Sequence, residues 1–236
     1  DLDPLEAEPS VQLRWVAPGQ ELGNPAAVIV PGSKQTLRDL AALQSSGLGE
    51  ALRAYVAGGG QLFGICGGLQ LLGRELSDPE GLEGAAGRRA GLNLLPLRTV
   101  FGGAKALRQR RSPALWPPRP ETSTEAGNPP LELEGFELHR GRSTLLEPCQ
   151  PLCAAAELGW VQAGGERGGL VAGTYLHGVF EGGPWRRRWL NQLRQRRNLP
   201  ALSEAQPHHR RQREALLDRL ADSFEQHVTL EPLLLP

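Results

Sequence analysis

The segment that most constrains the fold is a short apolar run that ends on a cysteine between glycines, Phe63-Gly64-Ile65-Cys66-Gly67-Gly68-Leu69-Gln70. Gln61–Ile65 is typical of a buried strand, and the residues after Gly68 have the composition of a helix. A side chain at so sharp a strand-to-helix turn needs small neighbours on both sides, as in the G-x-S-x-G turn of serine hydrolases. The segment therefore predicts a nucleophile elbow with Cys66 at its tip.

Short apolar runs and helix-type segments alternate along the rest of the chain. The predicted strands are Val11–Val16, Ala26–Val30, Gln61–Ile65, Leu131–Leu138, Ala154–Leu158 and Leu170–Tyr175. The predicted helices are Thr36–Leu43, Leu48–Val56, Leu69–Leu76, Trp185–Arg196 and Arg210–Glu225. Residues 108–130 are rich in Pro, Ser, Thr and Arg and predict a surface loop. The alternation predicts a three-layer α/β fold with a mostly parallel central sheet.

A cysteine nucleophile needs a base, and His177 is the candidate. It follows the predicted strand Leu170–Tyr175, and Gly178 leaves its ring uncrowded. Reactive side chains gather at the carboxyl ends of parallel strands, so Cys66 and His177 are expected to meet despite their separation in sequence. The plainer alternative is a small buried cysteine and a structural histidine, and each residue taken alone would favour it.

Two backbone N–H groups are candidates for an oxyanion hole. Val30-Pro31-Gly32-Ser33-Lys34 is another strand end, and its Gly32 could point an N–H into the same crevice. Together with the N–H of Gly67 it would bind the charge that develops when a thiolate adds to a carboxamide.

Composition limits the partners, the compartment and the metal sites that are expected for this chain. Lys+Arg and Asp+Glu both number 26, so the charge balance does not favour nucleic acid as a partner. No apolar run approaches the roughly 20 residues that cross a bilayer, and no membrane association is expected. Three cysteines form no closed disulfide set, which favours the cytoplasm; Cys149 and Cys153 lack further ligands, so no metal site is expected. The arginines at 186–188, 194–197 and 210–213 are expected on solvated helix faces.

Four motifs in this order resemble the class I glutamine amidotransferases, and among them the CobB/CobQ-type branch. They are Pro31-Gly32-Ser33-Lys34-Gln35-Thr36, Gly64-Ile65-Cys66-Gly67-Gly68-Leu69-Gln70, Gly135-Phe136-Glu137-Leu138-His139-Arg140-Gly141 and Gly173-Thr174-Tyr175-Leu176-His177-Gly178-Val179-Phe180. The resemblance implies a flavodoxin-like fold and an amidotransferase domain over residues 1–199, with 200–236 as a C-terminal helical extension. The motifs at Lys34 and His139 carry no assigned role.

The resemblance also implies a reaction. Cys66 would attack L-glutamine, His177 would act as base and then acid, Gly32 and Gly67 would bind the oxyanion, and Gln70 would help bind glutamine. The ammonia would pass to a synthetase domain resembling dethiobiotin synthetase, which would use ATP and Mg²⁺ to amidate carboxylates of a corrinoid. The chain contains no methionine, so Asp1 is expected to be internal to a longer protein that carries this domain.

The sequence departs from the wider class at the third triad position. Many class I members have a glutamate two residues after the histidine, where this chain has Val179. Glu181 lies near enough to orient the ring, but a Cys/His dyad is the simpler interpretation. Residues 32–36 resemble a phosphate loop without its G-x-x-x-x-G-K-[ST] spacing, so no ATP site is expected in this chain.

Three other functions remain open on the sequence alone. A free-standing cysteine hydrolase such as a γ-glutamyl peptidase would share the thioester chemistry. A glutaminase subunit for amidation of a cell-wall precursor would share most of the motifs. A scaffold subunit that has lost activity would keep the fold, although it would not be expected to retain both Cys66 and His177.

Overall fold

The computed structural model describes residues 1–84, 86–119 and 130–228. Its helices are α1 (Asp3–Glu6), α2 (Thr36–Ser45), α3 (Leu48–Ala57), α4 (Gly67–Leu71), α5 (Gly183–Arg196) and α6 (His209–His227). Its strands are β1 (Val28–Val30), β2 (Gln61–Ile65), β3 (Glu75–Asp78), β4 (Gly87–Ala90), β5 (Leu97–Val100), β6 (Ala106–Pro113), β7 (Glu132–His139), β8 (Arg142–Leu145), β9 (Gln150–Pro151), β10 (Gly159–Ala163), β11 (Leu170–Thr174) and β12 (Leu176–His177).

The central sheet has the strand order β1-β2-β11-β10-β9. The pairs β1–β2 and β2–β11 are parallel, whereas β10 pairs antiparallel with both β11 and β9. The predicted α/β architecture is confirmed, and within the central sheet the parallel pairs join the three strands β1, β2 and β11, which lead into motif residues. Two smaller sheets, β12-β7-β6 and β4-β3-β5-β8, complete the fold.

Two apolar cores cover the opposite faces of the central sheet, which gives the three layers. Side chains alternate along β2, so Leu62 lies in one core and Phe63 and Ile65 lie in the other. The first core also contains the apolar faces of α2 and α3, and the second contains the Trp185 and Trp189 side chains of α5.

The predicted surface loop over 108–130 is wrong in its first part. Residues 106–113 form β6, which pairs with β7 from Ala106↔His139 to Pro113↔Glu132. The strand has no apolar alternation that would predict it. It is stabilised by its neighbour instead, since Arg110 and Arg111 form ion pairs with Glu137 and Glu134 across the ladder. Residues 120–129 of the predicted loop lie outside the described residues.

Other element boundaries also differ from the predictions. Val11–Val16 forms no strand and joins none of the three sheets, although Val11 and Val16 pack through their side chains against the two cores. The helix predicted over Leu69–Leu76 ends at Leu71, because the chain passes close to β5 at Gly73 and then enters β3. The strand predicted at Ala154–Leu158 is a 3₁₀ turn followed by β10.

The prediction of solvated arginines on α5 is wrong for Arg186 and Arg187, which are both buried. Both guanidinium groups bind the carboxylate of Glu8, which is also buried, with a distance of 2.8 Å from Arg186 Nε to Glu8 Oε1. Arg186 Nη1 further donates to the carbonyl of Phe180 at 2.6 Å. The buried charges are therefore paired, and they attach the N-terminal segment to α5.

Candidate active site

Cys66 lies at the junction of β2 and α4 with φ 51° and ψ −110°, a conformation that non-glycine residues rarely adopt. The neighbouring glycines are required by close approaches of the backbone. A methyl group at Gly64 would lie 2.7 Å from the Leu69 nitrogen, and one at Gly68 would lie 2.0 Å from the Val30 oxygen. The predicted elbow geometry is therefore present, with Cys66 held at the tip of a strained turn.

The sulfur of Cys66 faces the β7 strand. Its thiol donates a hydrogen bond to the carbonyl oxygen of Leu138 at 3.4 Å, and the residue is 6% exposed. The backbone N–H of Cys66 donates to the Thr174 carbonyl at 2.8 Å, which joins the elbow to the end of β11. In this structure the sulfur is therefore a hydrogen-bonded thiol next to the strand that contains the Gly135–Gly141 motif.

His177 lies on β12, which pairs with β7, the strand that the Cys66 sulfur faces. Its backbone pairs with that of Phe136 on β7, and its ring stacks on the Phe136 ring at 5.1 Å between centroids. A methyl group at Gly135 would lie 2.1 Å from the carbonyl oxygen of His177, so only glycine allows this approach. The imidazole orientation is thus fixed by stacking and by the strand ladder.

Gly32 lies between these two side chains. A methyl group on its α-carbon would lie 3.4 Å from His177 Cε1 and 3.8 Å from Cys66 Cβ. One at Gly67 would lie 2.6 Å from the Ser33 nitrogen, so the Pro31–Ser33 turn packs directly on the elbow. Neither the Gly32 N–H nor the Gly67 N–H donates a hydrogen bond to a described residue. The structure therefore brings Cys66, His177, Gly32 and Gly67 together, as the motifs predict.

A carboxylate that the sequence reasoning missed contacts the histidine. Asp1 Oδ2 lies 2.8 Å from His177 Nδ1, and Asp1 Oδ1 accepts a 2.7 Å hydrogen bond from the Gly178 N–H. Glu181, the residue considered from sequence, instead lies with its Oε2 3.3 Å from His209 Nδ1. No local pattern marks Asp1, since it is 176 positions away from its partner.

Gln70 lies behind the elbow in a buried polar network. Its Nε2 donates to the Arg140 carbonyl at 3.0 Å and to the Tyr175 hydroxyl at 3.3 Å, and the residue is 2% exposed. The Tyr175 hydroxyl also lies 2.6 Å from Ser143 Oγ. Burial raises the pKa of Tyr175 to about 12, so this phenol stays neutral. The network links the elbow, the histidine strand and the 140–143 turn.

The Gly135–Gly141 motif forms a charged cluster on the same side. His139 stacks on the Tyr175 ring at 3.8 Å, with its Nδ1 3.2 Å from the Gly141 oxygen and its Nε2 3.3 Å from Glu137 Oε1. Glu137 in turn accepts a 2.9 Å hydrogen bond from Arg110 Nη1. These contacts fix the backbone on either side of Leu138, whose carbonyl faces the cysteine.

Residues 32–36 do not offer a phosphate site. The hydroxyl of Ser33 donates to the Asp39 carboxylate, and both the backbone N–H and the hydroxyl of Thr36 donate to Glu83 Oε2, at 3.3 and 3.1 Å. Two carboxylates thus occupy the start of α2, where a phosphate would need free donors. Within the described residues, no group of three or more His, Cys, Asp and Glu side chains could hold a metal ion.

Comparison with known proteins identifies the class as the glutamine amidotransferases. A solved structure of a glutamine amidotransferase resembles this chain with a TM-score of 0.55, covering 81% of this chain and 90% of the other at 15% identity. The chain belongs to the CobB/CobQ-like glutamine amidotransferase domain family, whose model matches residues 1–185.

Curated relatives are similar over nearly the whole chain. The cobyric acid synthase of Synechococcus sp. (strain CC9311) is 68% identical over 99% of this chain and 46% of the relative. The cobyric acid synthase of Nostoc sp. (strain PCC 7120 / SAG 25.82 / UTEX 2576) is 47% identical over 99% of this chain and 46% of the relative. The chain thus spans about half the length of the curated relatives that it matches.

Among the residues that the structure describes, no helix is long and apolar enough to cross a membrane.

Proposed function

We propose that this domain hydrolyses L-glutamine through a thioester on Cys66 and supplies ammonia for ATP-dependent amidation of corrinoid carboxylates, as the reaction of a cobyric acid synthase requires. The observation that carries the proposal is the convergence at Gly32, where Cys66 Cβ and His177 Cε1 both lie within 4 Å of the same point. The relatives at up to 68% identity support the acceptor assignment.

The chemical steps follow from this arrangement. With Nδ1 held by Asp1, Nε2 is the His177 nitrogen that can accept the Cys66 proton. The thiolate then adds to the side-chain carbonyl carbon of glutamine, and the N–H groups of Gly32 and Gly67 bind the oxyanion. His177 returns the proton to the departing nitrogen, so that ammonia leaves and a γ-glutamyl thioester remains.

In the second half of the reaction, water hydrolyses the γ-glutamyl thioester and Cys66 becomes the leaving group. His177 takes a proton from water, the hydroxide adds to the thioester carbonyl, and the C–S bond breaks while His177 returns that proton to the departing sulfur, which releases glutamate and the Cys66 thiol. Asp1 stabilises the imidazolium that forms in both halves of the reaction, which makes the proposed unit a triad rather than the simpler dyad. The thiol must first leave its hydrogen bond to Leu138 O and turn toward His177.

The role of Gln70 in substrate binding stays a prediction. The amide group donates both of these hydrogen bonds from Nε2 to protein acceptors, which leaves its oxygen as the atom to meet the substrate. We further propose a synthetase half that binds ATP and Mg²⁺ and the corrinoid acceptor, because the chain covers 46% of the cobyric acid synthase of Synechococcus sp. (strain CC9311). The free thiols of Cys66, Cys149 and Cys153 support a location in the cytoplasm.

The test measures glutamate release from glutamine by the full-length protein, and intact mass after treatment with a diazo-ketone analogue of glutamine. We expect one adduct on Cys66 in the wild type, and neither adduct nor turnover in Cys66→Ser. Cys153→Ser is the matched control, because Cys153 is also a buried free thiol but donates to the Ala155 carbonyl away from His177.

Turnover that survives Cys66→Ser would refute the nucleophile, and a folded full-length protein without turnover or adduct would refute the glutaminase assignment. The acceptor is tested separately by supplying ammonia directly. Amidation of a corrinoid by Cys66→Ser with ammonia and ATP would support the acceptor, whereas no amide product under those conditions from an otherwise active glutaminase would refute it.

A further inference from the structure

The C-terminal helix α6 has an anchored start and an otherwise exposed length. The His209 N–H donates to the Glu181 carbonyl at 2.9 Å, and the Arg210 guanidinium lies close to Gly178. Beyond this first turn the helix continues to His227, and none of its 19 residues is buried by the described part of the chain. Among the described residues, the helix therefore presents an exposed surface along about four turns.

An apolar stripe runs along this helix. Leu217, Leu220 and Phe224 follow the three- and four-residue spacing that places side chains on one face, and Leu216 adjoins them. Their exposed fractions are 57%, 57%, 50% and 47% in the order Leu217, Leu220, Phe224, Leu216. Contiguous exposed apolar side chains of this kind mark an interaction surface more often than scattered single residues do.

The charges on α6 are segregated along its length. The first half, 209–217, carries three arginines and one glutamate, Arg210, Arg211, Arg213 and Glu214, for a net charge of +2 with neutral His209. The second half, 218–227, carries three acidic residues and one arginine, Asp218, Asp222, Glu225 and Arg219, for a net charge of −2 with neutral His227. Each half is thus complementary to the other half of an identical helix that runs in the opposite direction.

We propose that α6 pairs antiparallel with α6 of a second copy of this chain. In that arrangement the apolar stripes meet near Leu217 and Leu220, and the basic half of each helix lies beside the acidic half of the other. A parallel pair would place arginines against arginines and is disfavoured. Individual exposed ion pairs contribute little free energy, so burial of the stripe supplies the affinity and the charges set the direction.

The first experiment measures the mass of the full-length protein by sedimentation equilibrium over a range of concentrations. One helix face buries less area than a standard interface, so we expect a dimer with a dissociation constant in the micromolar range. Leu220→Glu should raise that constant by about 100-fold or more, because the lost burial enters the symmetric interface twice and each loss alone accounts for about tenfold.

Leu107→Glu is the matched control, since Leu107 is 71% exposed and lies on β6 rather than on α6. It should leave the dissociation constant unchanged. Circular dichroism and glutaminase turnover report whether each variant remains folded. A wild type that stays monomeric would overturn the proposal; if Leu220→Glu then also lowers the melting temperature, another part of the same polypeptide covers the stripe.

The second experiment tests the direction by charge reversal. A variant with Arg210→Glu, Arg211→Glu and Arg213→Glu should be monomeric alone, and so should one with Asp218→Arg, Asp222→Arg and Glu225→Arg. Mixing the two should restore a dimer, because each half of one helix then meets an oppositely charged half of the other. Retained self-association of either variant, or no association in the mixture, would overturn the antiparallel pairing.

Discussion

Replacing Asp1 by Asn tests whether the carboxylate on His177 is part of the reaction. The two oxygens of Asp1 accept hydrogen bonds from two separate donors, the Nδ1–H of His177 at 2.8 Å and the Gly178 N–H at 2.7 Å. An amide has one oxygen, so in Asp1→Asn one of these donors faces an NH₂ group instead of an acceptor. The negative charge that stabilises the imidazolium is lost at the same time.

The size of the effect follows from these contacts. Both side chains are mostly shielded, with 23% of Asp1 and 17% of His177 exposed, so solvent replaces the lost contacts poorly. A hydrogen bond to a charged group contributes about 1.5–3 kcal/mol, and the imidazolium forms only during the reaction. A loss of about 3 kcal/mol from the transition state lowers kcat/KM on the order of a hundredfold.

The assay is the steady-state rate of glutamate release, together with the rate of Cys66 alkylation by the diazo-ketone analogue. Both rates should fall in Asp1→Asn, with a larger effect on kcat than on KM, because the free substrate does not contact Asp1 in the proposed mechanism. Asp3→Asn is the control: it removes a nearby exposed carboxylate on α1. Rates of Asp1→Asn within threefold of wild type would refute a role of Asp1 in the reaction.

Three further variants test the packing around the site. Gly68→Ala should lower the free energy of unfolding by at least about 3 kcal/mol in urea titration, because its methyl group would lie 2.0 Å from the Val30 carbonyl. Glu8→Gln should cost about 3–5 kcal/mol in the same titration, since it leaves two buried guanidinium groups without a counter-charge. Burial raises the pKa of Tyr175 from 10.0 to about 12, so the stability that the neutral phenol contributes is complete below pH 10 and is lost as the pH rises to about 12. The free energy of unfolding of Tyr175→Phe should therefore fall less steeply over that window, by a difference of up to about 3 kcal/mol.

The first two variants have matched controls, and all three have a contradicting result. Gly102→Ala places a methyl group in open space and should be nearly neutral, as should Glu6→Gln at an exposed position of α1. Equal stability of Gly68→Ala and Gly102→Ala would contradict the close approach at the elbow. Full stability of Glu8→Gln would contradict the buried ion pairs, and an unchanged pH profile in Tyr175→Phe would contradict the neutral buried phenol.

Local sequence determined the strand-to-helix elbow at Cys66. Glycines on both sides of Cys66, a strand before it and a helix after it are short-range features, and the structure shows the backbone contacts that require them. The positions of His177 and Gly32 followed from a rule about where parallel strands end. That rule succeeded because β1, β2 and β11 are parallel neighbours, whereas it does not predict that β10 runs antiparallel to both of its neighbours, β11 and β9.

Only the tertiary structure decided the features that depend on distant partners. The arginine-rich strand β6 has no periodicity of its own and exists through its ladder and ion pairs with β7. Arg186 and Arg187 have the composition of a solvated helix face, yet Glu8 makes their burial tolerable. Asp1 contacts His177 across 176 positions of sequence. The physical reason is the same in each case: charged side chains take their environment from a partner that the local pattern does not contain, while the constraints on glycine and on the cysteine turn act within a few residues.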